Sequence, residues 1–240
     1  MNRRIIALLL TLFALLPLSA QDILTAERFL AKVGEVYQAM EDYTALVSIE
    51  TGRSSMEAKA LFKAPNLMRL DFSVPEEQII VFNGDTLTVY LPEYRAVLSQ
   101  TVTSESSSGG ASLASAAGLS ILRRNYAVSY LASPTPLPLD EVSIEGEGTD
   151  ETESSVEAEM VIKLVLSRRS LSEGFREIHL AVDPATLHIR RIEGTTIANE
   201  NVRFNFYDIK PNQGIADALF TYEKQPSANF YDNFLYRDSD

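Results

Sequence analysis

The chain has 240 residues, 45% of them hydrophobic, which suits one domain with a sizeable core. It carries 33 Asp and Glu against 21 Lys and Arg, a net charge of −12, and that balance argues against nucleic acid, whose phosphates demand basic patches. It has no cysteine, which excludes a disulfide framework, a thiolate metal site and a lipidated N-terminal cysteine.

Residues 1–20 read as a secretory signal peptide. Arg3 and Arg4 form a positive start, Ile5 to Leu16 an apolar run, and Pro17 to Ala20 a small-residue cleavage site before Gln21. The run is short for a membrane span, which needs about 20 apolar residues. The expectation is an exported protein, cleaved near Ala20, whose residues 21–240 form one domain.

From Ile23 to Met40 the apolar residues Leu24, Phe29, Leu30, Val33, Val36, Tyr37 and Met40 follow a helical stripe, with Thr25 as N-cap. Tyr43 to Thr51 and Ser55 to Lys63 then alternate. Tyr43, Ala45, Val47 and Ile49 share a face of the first strand; Met56, Ala58, Ala60 and Phe62 share a face of the second.

Leu61 to Gln100 is a meander punctuated by Pro65-Asn66, Pro75-Glu76-Glu77, Asn83-Gly84 and Pro92-Glu93. Met68, Leu70 and Phe72 share one face, with Arg69 and Asp71 opposite. Leu87, Val89 and Leu91 alternate with Thr88 and Tyr90. The hairpin loop decides what joins the Leu87 face: three loop residues bring Ile79 and Val81, two bring Ile80 and Phe82. The first is preferred.

Thr101 to Gly110 is a Ser-rich loop, and Ala111 to Leu122 reads as a slender helix with Leu113, Leu119, Ile121 and Leu122. Asn125 to Leu131 reads as a strand, while the prolines of Ser133 to Pro138 oppose regular structure. Asp140 to Glu159 holds nine acids and no Lys or Arg, so a solvated, disordered loop is expected there, not a cation site. Strands follow at Glu157 to Ser167, Phe175 to Val182 (Ile178, Leu180 and Val182 inward), Leu187 to Gly194 and Val202 to Ile209. A last short strand is expected at Leu219 to Tyr222, and residues 226–240 form an aromatic tail.

Catalytic motifs are missing. The two histidines, His179 and His188, have no i, i+4 partner; no Gly-x-Ser-x-Gly, Gly-x-Gly-x-x-Gly or phosphate loop occurs; and paired acids such as Glu76-Glu77 sit in turns. The expectation is a non-enzyme with no catalytic residue, metal or cofactor. What remains is an antiparallel sheet whose apolar face two helices must cover. Incomplete cover leaves a pocket suited to acyl chains, since each buried methylene contributes about 0.8 kcal/mol.

In the helix after the leader, FKAPNLMRLDF, the IIVFNGDTLTVY hairpin, the helix near Gly118-Leu119, IHLAVDPATLHIRRIEG and VRFNFYDIKPNQGIADALFTY, the chain resembles the LolA-type periplasmic carriers of outer-membrane lipoproteins. The resemblance implies a mainly β (α+β) fold: a curved antiparallel half-barrel with a long N-terminal helix and a short lid helix over a hydrophobic cavity. By position it places Met68, Leu70 and Phe72 on the cavity wall, matching the alternation above. With Val81, Leu87, Val89, Leu119, Leu122, Ile178 and Leu180, these are the lipid-binding candidates. The family's basic residue before the Pro-Asn pair closes the lid by a hydrogen bond; here Ala64 stands there, preceded by Lys63. The resemblance further implies a periplasmic monomer that shelters lipoprotein acyl chains. It would receive them from an inner-membrane ABC-type release complex and pass them to an outer-membrane acceptor. The alternatives are an envelope-stress sensor or regulatory module of the same fold, and a binder of free lipid or glycolipid.

Overall fold

The computed structural model describes residues 24–52, 54–102, 114–140, 158–223 and 228–234. The leader, most of the Ser-rich loop and acidic residues 141–157 lie outside that set, as does part of the aromatic tail.

Helix α1 (Ala26–Ala39) forms where the stripe predicts it: the Thr25 hydroxyl accepts from Arg28 N, and Phe29, Leu30, Val33 and Tyr37 are buried. Strands β1 (Asp42–Thr51) and β2 (Ser54–Lys63) pair antiparallel, followed by β3 (Leu67–Val74), β4 (Ile79–Phe82), β5 (Thr86–Leu91) and β6 (Ala96–Thr101). Helix α2 (Ala116–Asn125) is capped by the Ser115 side chain, which accepts from Gly118 N at 3.1 Å; residues 111–113, where the expected helix begins, lie outside the described set. Then come β7 (Tyr126–Tyr130), β8 (Leu137–Pro138), β9 (Met160–Arg168), β10 (Phe175–Val182), β11 (Ile189–Thr196), β12 (Asn201–Pro211) and β13 (Asn229–Asp232).

Among the described residues thirteen strands join one open sheet in the order β13-β6-β5-β4-β3-β2-β1-β12-β11-β10-β9-β7, with β8 beside β9. Every pair is antiparallel except β13 on β6. This is the curved antiparallel half-barrel with two helices that the resemblance implies. Two local expectations fail. Leu137–Pro138 does pair, at a strand end where proline needs no donor. Leu219 to Tyr222 is not a strand; a 3-10 turn, Asp217–Phe220, runs there instead.

That turn belongs to a strap, residues 212–222, laid over the outer face. The buried Asp42 carboxylate accepts from Gln213 N at 2.5 Å and Ile215 N at 2.9 Å, and Asn212 N donates to the Asp42 carbonyl. Lys63 donates to the Ile215 carbonyl and pairs with Asp217, while Arg69 donates to the Leu219 carbonyl. Ile215 and Phe220 thereby bury Leu61, and Tyr222 packs on Tyr90 with ring centroids 5.8 Å apart.

The main core lies on the inner face. Leu119 and Leu122 of α2 meet α1 and the inward residues of β1, β2 and β9 to β12. Tyrosine hydroxyls tie helices to sheet: buried Tyr43 donates to the Ala114 carbonyl at 2.8 Å, half-buried Tyr130 to the Leu24 carbonyl at 2.8 Å, and buried Tyr37 accepts from Ile189 N. Burial pushes the Tyr37 and Tyr43 hydroxyls well above the ordinary phenol range, so both stay protonated.

Candidate functional site

The two halves of the inner face differ. Over β9 to β11, Leu164, Leu166, Ile178 and Ile189 have no exposed surface, and Leu180 and Ile192 have 1%. Over β3 to β6 the inward residues Met68, Leu70, Ile80, Phe82, Leu87, Val89 and Leu98 are apolar yet only half-buried. The strand register aligns them in two rows across the strands. One runs Ala60, Leu70, Ile80, Val89, Leu98; the other runs Phe62, Met68, Phe82, Leu87, Gln100. Leu70 and Ile80 touch the sealed core, so the open strip is continuous with it.

Met68, Leu70, Leu87 and Val89 therefore lie on this open apolar strip. Phe72 faces the same way but is 6% exposed and belongs to the sealed core. Leu119, Leu122, Ile178 and Leu180, expected on a cavity wall, are packed inside the sealed core, because the α1 side chains fill the space between them. They can meet a ligand only if the helices part from the sheet.

Val81 is a correction. It is 2% exposed and lies on the outer face, the side of Leu61 and Tyr90 that the strap covers. The reason is loop parity. Asn83 Oδ1 accepts from Asp85 N at 3.1 Å and Thr86 N at 2.8 Å, and Asn83 N donates to the Thr86 carbonyl. This Asx turn makes Phe82 and Leu87 the closing pair, so the loop has even length. Ile80 and Phe82, the alternative set, take the inner face, and Leu98 joins them; alternation on β6 was the signal for Leu98.

The strip carries methyls, methylenes, a thioether and one phenyl ring, with Gln100 at one end. Such a surface can hold hydrocarbon by burial and shape; its side chains include no nucleophile and no general base. Its mean width of three interstrand spacings is about 14 Å.

Away from the strap the outer face carries a cluster of charged side chains. A cleft of about 930 Å³ is lined by Glu50, Glu177, His179, Glu193 and Arg203 among others. Within it Arg203 pairs with Glu193 at 2.5 Å and Glu50 at 3.1 Å, and His179 Nε2 lies 2.7 Å from a Glu177 carboxylate oxygen. Among the described residues no group of three or more His, Cys, Asp or Glu could hold a metal ion. Lys63, next to Ala64, serves the outer strap, and the link from sheet to the start of α2 is the Tyr43 hydroxyl.

Residues 52–137 match the family model described as outer membrane lipoprotein carrier protein LolA. No curated protein sequence matches. Among solved structures, an uncharacterized conserved protein from Thermus thermophilus aligns at 13% identity over 86% of this chain and 98% of its own, with a TM-score of 0.53. A LolA superfamily protein from Nitrosomonas europaea aligns at 13% identity over 82% and 98%, TM-score 0.40. The lipoprotein LppX of Mycobacterium tuberculosis aligns at 10% identity over 80% and 97%, TM-score 0.48. The first supports the fold; the other two superpose too loosely to carry an argument.

Proposed function

We propose that the chain is a carrier of the LolA type, the family whose model matches residues 52–137, and that it shelters the acyl chains of lipoproteins on the inner face of its sheet. The observation that supports this reading is the contrast between a sealed core under the helices and a half-open apolar strip beside it. Met68, Phe82, Leu87, Val89 and Leu98 form that strip. A sheet stabilised only by its own packing has no need to leave such residues half wet, since each buried side chain of this size contributes about 1.5–3 kcal/mol. A hydrocarbon guest completes their burial. Parting of α2 from the sheet, with loss of the Tyr43–Ala114 hydrogen bond, extends the strip over Leu119, Leu122, Ile178 and Leu180 and makes room for longer or multiple chains.

The rest of the proposal follows from family and leader. The protein works in the periplasm as a monomer, takes its cargo from an inner-membrane ABC-type release complex and delivers it to an outer-membrane acceptor. It acts by binding and release, not by catalysis. The test is binding of a fluorescent fatty acid to the purified chain lacking its leader. Saturable binding, competed by a diacyl lipopeptide, supports the carrier. Absence of binding by folded protein overturns it. Competition by free phospholipid but not by lipopeptide replaces lipoprotein with free lipid as the cargo.

A further inference from the structure

Although the chain is acidic overall, arginines collect at one end of it. Arg123 and Arg124 form the last turn of α2, and both are exposed. The chain passes directly into β7, where Tyr126 lies opposite Arg168 of β9, and Arg169 N donates to the Asn125 carbonyl at 2.9 Å. Those two contacts bring Arg168 and Arg169 beside the α2 terminus. Arg176 stands on the returning strand of the same hairpin. A hollow of about 380 Å³ lies beside Arg123 and Arg124, lined also by Glu27, Ser120 and Val128. Among the described residues the acids nearby are few. Glu27 reaches Arg169 at 3.5 Å, and Glu173 lies near the Tyr126 hydroxyl. Arg123 and Arg176 have no carboxylate partner among the described residues.

The same hairpin has an apolar tip. Leu171, two residues beyond Arg169, is 81% exposed, flanked by Ser170 and Ser172. Nothing in the fold requires a leucine there; turns of this kind favour polar residues.

We propose that this end of the molecule is a docking surface for an anionic lipid bilayer. Arginines at the rim meet phosphate headgroups, and Leu171 enters the boundary between headgroups and acyl chains. A single leucine with no surrounding apolar patch suits a fluid surface, which needs no matching pocket; a protein partner would have to supply one. Arginine stems can lie along the apolar boundary while their guanidinium groups stay at the headgroups. The rest of the protein's negative charge is screened beyond a Debye length of about 8 Å, so a local basic end can act against the overall sign. The surface sits at the β7 edge of the sheet, and the apolar strip over β3 to β6 lies toward the opposite, β13 edge. It does not depend on what the strip binds, and fatty-acid binding is measured without membranes, so the two ideas fail separately.

The chain has no tryptophan, so Leu171→Trp introduces a sole reporter. Mixed with phosphatidylcholine vesicles containing phosphatidylglycerol, this variant is expected to show a blue-shifted emission that reverses at high salt and is absent with phosphatidylcholine alone. In flotation with the same vesicles, Arg123→Gln/Arg124→Gln in the otherwise native chain is expected to bind about 25-fold more weakly, from roughly fivefold per basic side chain at an anionic surface. Leu171→Ser should also weaken binding while keeping its salt dependence. No blue shift on either vesicle overturns the proposal. So does an equal shift on both, or binding of soluble polyglutamate with no vesicle binding, which would make the end a site for acidic protein.

Discussion

Replacing Val89 with Glu puts the strip to a direct quantitative test. Val89 sits at its centre, with Ile80 and Leu98 opposite on the neighbouring strands, and it is half-exposed. A carboxylate there must stay hydrated, so it parts any guest chain from the protein over the length of its own side chain. That removes contact with three or four methylenes, about 3 kcal/mol at 0.8 kcal/mol each, or a loss of affinity of more than 100-fold. Stability should fall by only about 1 kcal/mol or less, because the side chain can turn to water. Binding is read by titration of a fluorescent fatty acid, and folding by urea denaturation of the same samples. Leu180→Ala is the counterpart: in the sealed core it should cost about 2–5 kcal/mol of stability yet leave the affinity of the folded fraction unchanged. If Val89→Glu binds as tightly as the parent, or if Leu180→Ala is the variant that loses affinity, the assignment of the ligand to the β3 to β6 strip is wrong.

Three further outcomes follow from the fold. Asp42→Ala should cost about 3 kcal/mol, since Gln213 N and Ile215 N lose their acceptor; urea unfolding gives the number, and increased binding of a hydrophobic dye would report the strap lifting from Leu61 and Tyr90. Gly194→Ala should destabilise by about 1–3 kcal/mol, because a Cβ there would stand 2.6 Å from the Phe175 ring; thermal unfolding measures it, and a neutral result would mean that the ring moves freely. Asp183 closes the β10–β11 turn. Burial alone would raise its carboxyl, but the N–H groups of Thr186 and Ala185, the Thr186 hydroxyl and the nearby Arg190 charge outweigh burial and hold it below the usual carboxylate range. A depressed folded-state value stabilises the fold above the unfolded value of about 3.9, and that contribution is lost as the pH falls through the lower folded value. Asp183→Asn should therefore lower stability at pH 7, and the gap should narrow towards pH 3; a gap independent of pH would refute the linkage.

Periodicity made most of the sheet legible before any coordinates. Tyr43, Ala45, Val47 and Ile49 all turn inward, as a period of two requires, and the stripe from Phe29 to Tyr37 faces the core. Local chemistry that depends on one hydrogen bond was not legible. The parity of the Asn83 turn hangs on which backbone N–H groups the Asn83 side chain takes, and it moved Val81 to the outer face and brought in Ile80 and Phe82. The strap was invisible for a related reason. Asp42, Lys63 and Arg69 look like ordinary solvent-facing residues of strands, and only a segment about 150 residues away in sequence gives them work. Alternation also cannot tell a sealed face from an open one: Ile178 and Val89 carry the same signal, and the helices cover one and leave the other half wet. The basic end escaped because its arginines come from three separate stretches of an acidic chain.

Where a hydrocarbon chain lies when the protein holds it decides between the open strip and every other surface. A fatty acid bearing a photoactivatable diazirine, bound to the chain lacking its leader, irradiated and mapped by mass spectrometry, locates it. Adducts are predicted on Met68, Phe82, Leu87, Val89 and Leu98. Adducts confined to the strap residues Ile215 to Tyr222, or to the outer-face cleft around Glu177 and Glu193, would contradict the carrier reading.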